Sequence, residues 1–271
     1  MDRYDAFQNE VNILTKLNTY DNVHLVKLLF TIERLKPDET EFFLVFPLAT
    51  CNLRQLWFRH NPYKDHQGLE TYAKWVAEQS RGLAAALGMV HNREFEKTHN
   101  TQHERHSKPQ YYGIHADIKP ENLLCFGDWY DVSTRPFCEL GIIQLADFGI
   151  SSFHHTSTMS DIYPRGHTKT YRAPETDLGQ KISPSFDIWG LGCVYLEFLV
   201  WLVEGVPDFD RFSADRTRCA NQSIQGIPQD TYYSLDVGRN ETTAKVNPAV
   251  TEVCINLRSN CFKLNCVQAF R

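Results

Sequence analysis

The sequence predicts an α+β fold in which a small sheet-bearing segment precedes a larger, mostly helical body. Three observations predict it. Residues 5–18 carry Phe7, Val11, Leu14 and Leu17 at three- and four-residue spacing, the pattern of an amphipathic helix. Two apolar runs, HLVKLLFTIE and EFFLVFPL, flank the turn-forming Lys36-Pro37-Asp38-Glu39 and read as antiparallel strands. The run DIWGLGCVYLEFLVWLV, from Asp187 to Val203, is apolar nearly all round and reads as a buried helix.

The remaining elements follow in order. Tyr72 to His91 is a long helix interrupted by glycine, and the polar, histidine-rich residues 92–112 read as a surface insertion. Short strands are predicted around Leu123–Phe126 and Ile142–Ala146, followed by a serine- and threonine-rich loop to Arg172. Residues 204–271 are mixed, with a helical pattern near 247–258. No repeat and no long linker divides the chain, so residues 1–271 read as one domain.

Composition narrows the function classes. A net charge of −5 gives no electrostatic reason to expect nucleic acid or an anionic membrane as partner. No stretch approaches about 18 uninterrupted apolar residues, and the charged start MDRYDAFQNE lacks a signal-like apolar region. None of the eight cysteines forms a CxxC pair; Cys193 and Cys254 read as buried small hydrophobes. A reduced, intracellular protein, cytoplasmic or nuclear, is expected. His99, His103 and His106 read as solvated loop residues rather than zinc ligands, and no lowered-pKa argument marks Cys51 as reactive.

The chemistry concentrates in HADIKPEN, residues 115–122. Asp117, Lys119 and Asn122 place a carboxylate, a cation and an amide oxygen on one short loop. Phosphoryl transfer asks for such positioned charge: a carboxylate at the attacking hydroxyl, cations on phosphate, and oxygen ligands for magnesium. Asp147, at the end of a predicted strand and followed by Phe148-Gly149, can turn a second carboxylate into a cleft.

With D-F-G at 147–149, A-P-E at 173–175 and D-I-W-G-L-G at 187–192 following in that order, the chain resembles the eukaryotic protein kinase family. Lys119 after the aspartate, and Thr168 before Tyr171, match its serine/threonine branch. The resemblance implies a two-lobed fold, with residues 1–47 as a reduced small lobe and 48–271 as a large helical lobe. It implies transfer of the ATP γ-phosphate to protein serine or threonine hydroxyls, with magnesium. By matched position Asp117 resembles the base, Lys119 the cation on the transferred phosphate, and Asn122 and Asp147 the metal ligands. Phe46, Leu48, Ala49 and Leu124 resemble the adenine pocket, and Glu10 the helix glutamate that pairs with a strand lysine. Leu14, Phe148 and His115 resemble the apolar stack between the lobes.

Several features depart from that family's pattern. Only nine residues precede Glu10, none of them lysine, and the first glycine is Gly68. The glycine-rich loop and strand lysine are thus expected to be missing, which would cost nucleotide affinity and rate. The C-terminus also reads as incomplete, since Arg258 and Arg271 lack the context of the usual Glu175 partner. Ala116 replaces an arginine that often grips an activation-loop phosphate; activity is therefore expected not to depend on phosphorylation of Ser151, Ser152, Thr156, Ser157, Thr158 or Ser160. Two readings stay open: a fragment of an active kinase line, favoured by the intact Asp117, Lys119, Asn122 and Asp147, or a pseudokinase serving as a scaffold.

Overall fold

The computed structural model describes residues 3–62, 68–91, 111–127, 141–149, 151–155, 169–205, 207–220, 230–238 and 241–263. The candidate insertion histidines, Thr168, the acceptors from Thr156 to Ser160, and Arg271 lie outside these residues.

Helix α1 spans Arg3–Leu17, with Asp5 in its first turn and Lys16 in its last, each complementing the helix dipole. Its buried stripe is Phe7, Ile13, Leu14 and Leu17, whereas the expected Val11 is only half-buried. Strands β1 (Phe30–Leu35) and β2 (Thr40–Val45) form an antiparallel hairpin in register Phe30↔Val45 to Leu35↔Thr40. The turn closes through a bond from Lys36 N to Glu39 O of 2.9 Å.

The first strand starts later than its apolar run predicts, because residues 24–26 pair elsewhere. Leu145 N donates to His24 O and Val26 N to Leu145 O, at 2.8 and 3.1 Å. The run HLV thus lies parallel beside β6 (Ile142–Leu145) and buries Leu25 and Val26 there.

Helix α2 (Leu53–Arg59) is too short for periodicity to reveal, but its start is explicit. Asn52 and Gln55 form a capping box, with Gln55 N donating to Asn52 Oδ1 at 2.9 Å. Strand β3 (Cys51–Asn52) leads into it and pairs with β5 (Leu123–Phe126), which pairs with β6, giving the antiparallel order β3-β5-β6. A second antiparallel pair joins β4 (Tyr111–Ile114) to β7 (Ser152–His155).

Helices α3 (Gly68–His91) and α4 (Ser185–Glu204) form the centre of the core. Trp57, Trp75 and Phe198 meet there edge-on, and Trp201 Nε1 donates to the Trp57 carbonyl at 3.1 Å. By length and composition α4 could cross a membrane. Two of its three carboxylates, Asp187 and Glu197, are however buried inside the protein, and the helix packs against α3, α5 (Pro207–Cys219) and α6 (Pro248–Lys263). Helix α5 and the hairpin of β8 (Tyr233–Val237) and β9 (Thr242–Val246) were not legible in the mixed C-terminal sequence. Cys193 is buried as expected; Cys254 is exposed on α6, because the apolar pattern there faces Leu257 inward instead.

Candidate active site

Chain direction at the site is set by one buried carboxylate. Asp187, in the first turn of α4, accepts from the backbone N–H of His115 and of Ala116, each at 2.8 Å, and contacts His91 Nε2 at 2.8 Å. Ala116 has φ 71°, a left-handed conformation that costs an L-residue about 1–2 kcal/mol. Two charge-assisted bonds offset that cost and turn the loop outward after β4.

His115 is fully buried. Its Nε2 lies 3.0 Å from the Ala146 carbonyl, and the Asp117 N–H donates to Nδ1 at 3.3 Å. This pattern requires a neutral ring with the proton on Nε2. Burial holds the imidazole below its usual pKa, against the opposing pull of Asp187, Asp147 and Asp117. Its ring centre lies 4.7 Å from that of Phe148, and Leu14 and Phe148 are fully buried. The three residues are therefore packed groups.

Beyond this turn the polar side chains converge. Lys119 Nζ lies 2.5 Å from Asp117 Oδ2, and Asn122 Nδ2 donates to the same oxygen and to the Asp117 carbonyl, each at 2.9 Å. A 3-10 turn, Pro120–Asn122, carries the chain into β5. Ala146 N donates to Asn122 O at 3.0 Å, so Asp147 emerges beside the end of this loop. Asp147 also has a positive φ, 64°, which exposes its carboxylate while Phe148 turns inward. Asn122 Oδ1 and the Asp147 carboxylate are hard oxygen donors, the type that magnesium takes from proteins.

Glu10 on α1 faces the same place. Its carboxyl is raised first by burial and then by the charge of Asp147, and no lysine or arginine pairs with it among the described residues. Phe46 and Leu124 are half-buried against the core, Ala49 is half-buried, and Leu48 is exposed.

A buried ionic network beneath the site was missed by sequence reading. Glu197 on α4 is 1% exposed and accepts from the Tyr171 hydroxyl at 2.8 Å, with Arg54 and Arg216 at 3.7 and 3.8 Å. Arg54 also reaches Glu121 of the 115–122 loop at 3.2 Å and bonds the Tyr171 hydroxyl. Arg216 is stacked between the Phe212 and Tyr232 rings, at 4.2 and 4.4 Å. The one available signal was Glu197 inside the otherwise apolar stretch 188–203. Glu175 forms no ion pair among the described residues, and burial raises its carboxyl. Exposed Arg258 does not reach it.

Comparison with known proteins identifies a family. The family model described as the protein kinase domain matches residues 1–268. Homeodomain-interacting protein kinase 2 of Mesocricetus auratus is 35% identical over 131 residues, which are 48% of this chain and 10% of that protein. Probable serine/threonine-protein kinase dyrk2 of Dictyostelium discoideum is 40% identical over 115 residues, 42% of this chain and 11% of that protein. Cyclin-dependent kinase 4 of Xenopus laevis is 25% identical over 229 residues, 84% of this chain and 59% of that protein. The chain thus spans a tenth of the first relative's length and under two thirds of the last.

Proposed function

The chain belongs to the protein kinase family, and from that premise we propose that it transfers the ATP γ-phosphate to serine or threonine hydroxyls of a protein substrate. The observation that carries the proposal is the convergence of Lys119 and Asn122 on one oxygen of Asp117. Both bonds land on Oδ2, so Oδ1 is left to accept a bond from the substrate hydroxyl and orient its lone pair toward phosphorus. Lys119, held at the same carboxylate, lies where it can offset charge on the transferred group. Asn122 Oδ1 and Asp147 would hold magnesium, which when bound supplies positive charge against the phosphate oxygens. Phe46, Leu48, Ala49 and Leu124 would take the adenine, with the backbone at 48–49 as its polar edge.

The test is magnesium-dependent incorporation of labelled phosphate into a serine/threonine peptide mixture. Asp117→Asn should lower it by about 10³-fold or more, since it removes the charge that organises the loop. Equal incorporation by this variant overturns the reading.

Glu10 favours a second reading, a catalytically impaired binding scaffold. Its carboxyl lacks a cation partner among the described residues and sits in repulsion with Asp147. A scaffold binds its partner equally well with Asp117→Asn and shows no incorporation in either form.

A further inference from the structure

Cys51 and Cys125 stand directly opposite each other where β3 pairs with β5. Opposed residues of an antiparallel pair share a face, with Cα atoms about 4.5–5.5 Å apart, inside the roughly 4.4–6.8 Å that a disulfide spans. Both are free thiols; Cys51 is half-buried and Cys125 is buried behind it. The Cys125 thiol hydrogen-bonds the Cys51 sulfur, and Arg59 in the last turn of α2 lies beside that sulfur.

These contacts divide the labour. The hydrogen bond from Cys125, with the charge of Arg59, outweighs burial and lowers the Cys51 thiol to about 7. Cys125 is pushed well above the ordinary thiol value by giving that bond and by burial. A reachable thiolate backed by a protonated thiol is the arrangement of a peroxide-reactive cysteine and its resolving partner. Two other described thiols differ: Cys193 is buried and raised, and Cys254 is exposed but raised.

We propose that Cys51 and Cys125 form a reversible, hydrogen-peroxide-driven disulfide that ties the chain leaving residues 46–49 to the strand following Asn122. In the first step the Cys51 thiolate attacks one peroxide oxygen; an S–O bond forms, the O–O bond breaks, and the released hydroxide becomes water. In the second, the Cys125 sulfur attacks the Cys51 sulfenic acid; the S–S bond forms, the S–O bond breaks, and the oxygen leaves as water with the Cys125 proton. Two thiols are oxidised by two electrons and one peroxide is reduced to two waters. A dithiol reductant reverses the bond by thiol exchange. None of this depends on phosphoryl transfer.

The experiment treats the reduced full chain with hydrogen peroxide at pH 7.5 and maps peptides without reduction by mass spectrometry. The expected product is a peptide pair linking Cys51 to Cys125, two hydrogens lighter and lost on adding dithiothreitol. Iodoacetamide labelling across pH should show Cys51 half-maximal near pH 7, with Cys254 rising only above the ordinary thiol range. In Cys125→Ser, dimedone should trap a sulfenic acid at Cys51 and the linked peptide should vanish. The wild-type map decides even if that variant fails to fold. The proposal is overturned if Cys51 and Cys125 stay reduced while Cys254 oxidises, or if either links to a different cysteine instead.

Discussion

The Asp187 carboxylate and the Ala116 backbone N–H are 2.8 Å apart, although 71 residues separate them in the chain. With its other oxygen on His115 N, Asp187 holds a left-handed turn that alanine would not adopt unaided. Asp187→Ala would leave two buried N–H groups and His91 unsatisfied. The expected loss is about 3–5 kcal/mol in denaturant unfolding, and Asp187→Asn should lose less because it retains an acceptor oxygen. Equal stability of the alanine variant and wild type would contradict this role.

Asp147→Asn tests the proposed magnesium site apart from folding, whereas Asn122→Ala tests both together. Asp147 is exposed, so its substitution should leave the unfolding free energy within about 0.5 kcal/mol of wild type. Phosphate incorporation should nevertheless fall by about 10²-fold or more and require higher magnesium. Asn122 is 8% exposed and bridges Asp117, so its alanine variant should lose stability as well.

His115 makes one contribution of definite sign to the pH dependence of stability. Its folded-state pKa is depressed below the ordinary 6.5, chiefly by burial, so the unfolded chain takes up the proton first as pH falls. Its contribution is complete above about pH 6.5 and is lost as pH drops from there through the folded-state pKa. Glu197, whose carboxyl burial raises, contributes with the opposite sign. The informative comparison is therefore between variants: His115→Gln should show a flatter decline in unfolding free energy between pH 7 and 5 than wild type.

A close approach between α3 and the chain before β1 supplies a packing test. A Cβ at Gly82 would sit 1.9 Å from His24 Nε2, and that ring is held by a 2.8 Å contact from Nδ1 to the Ile143 carbonyl. Gly82→Ala should cost about 1–3 kcal/mol despite its better helix propensity. Paired with His24→Ala, the two losses should sum to less than their separate values, which a double-mutant cycle measures.

Local pattern made the long elements legible. The apolar run at 187–203 had to be a buried helix, and β5 and β6 were short apolar runs with boundaries within one residue of those observed. Elements whose stability comes from neighbours were not legible. Helix α2 depends on a capping box, and β4 and β7, far apart in the chain, depend on each other. The stretch 24–26 reads as a strand beside β2, yet its carbonyl and amide groups find β6.

The same division holds at the site. By itself the sequence determined which chemical groups are present and their order: Asp117, Lys119 and Asn122 on one loop, and Asp147 after a strand. Close spacing on a short loop constrains those groups to one neighbourhood before any tertiary contact forms. Only the tertiary structure decided that Asp187 sets the loop's turn, that Glu197 is shared by Arg54 and Arg216, and that Cys51 faces Cys125. Those pairings join residues far apart in the chain, and their partners are selected by packing and by the cost of burying an unpaired polar group, which no local pattern encodes.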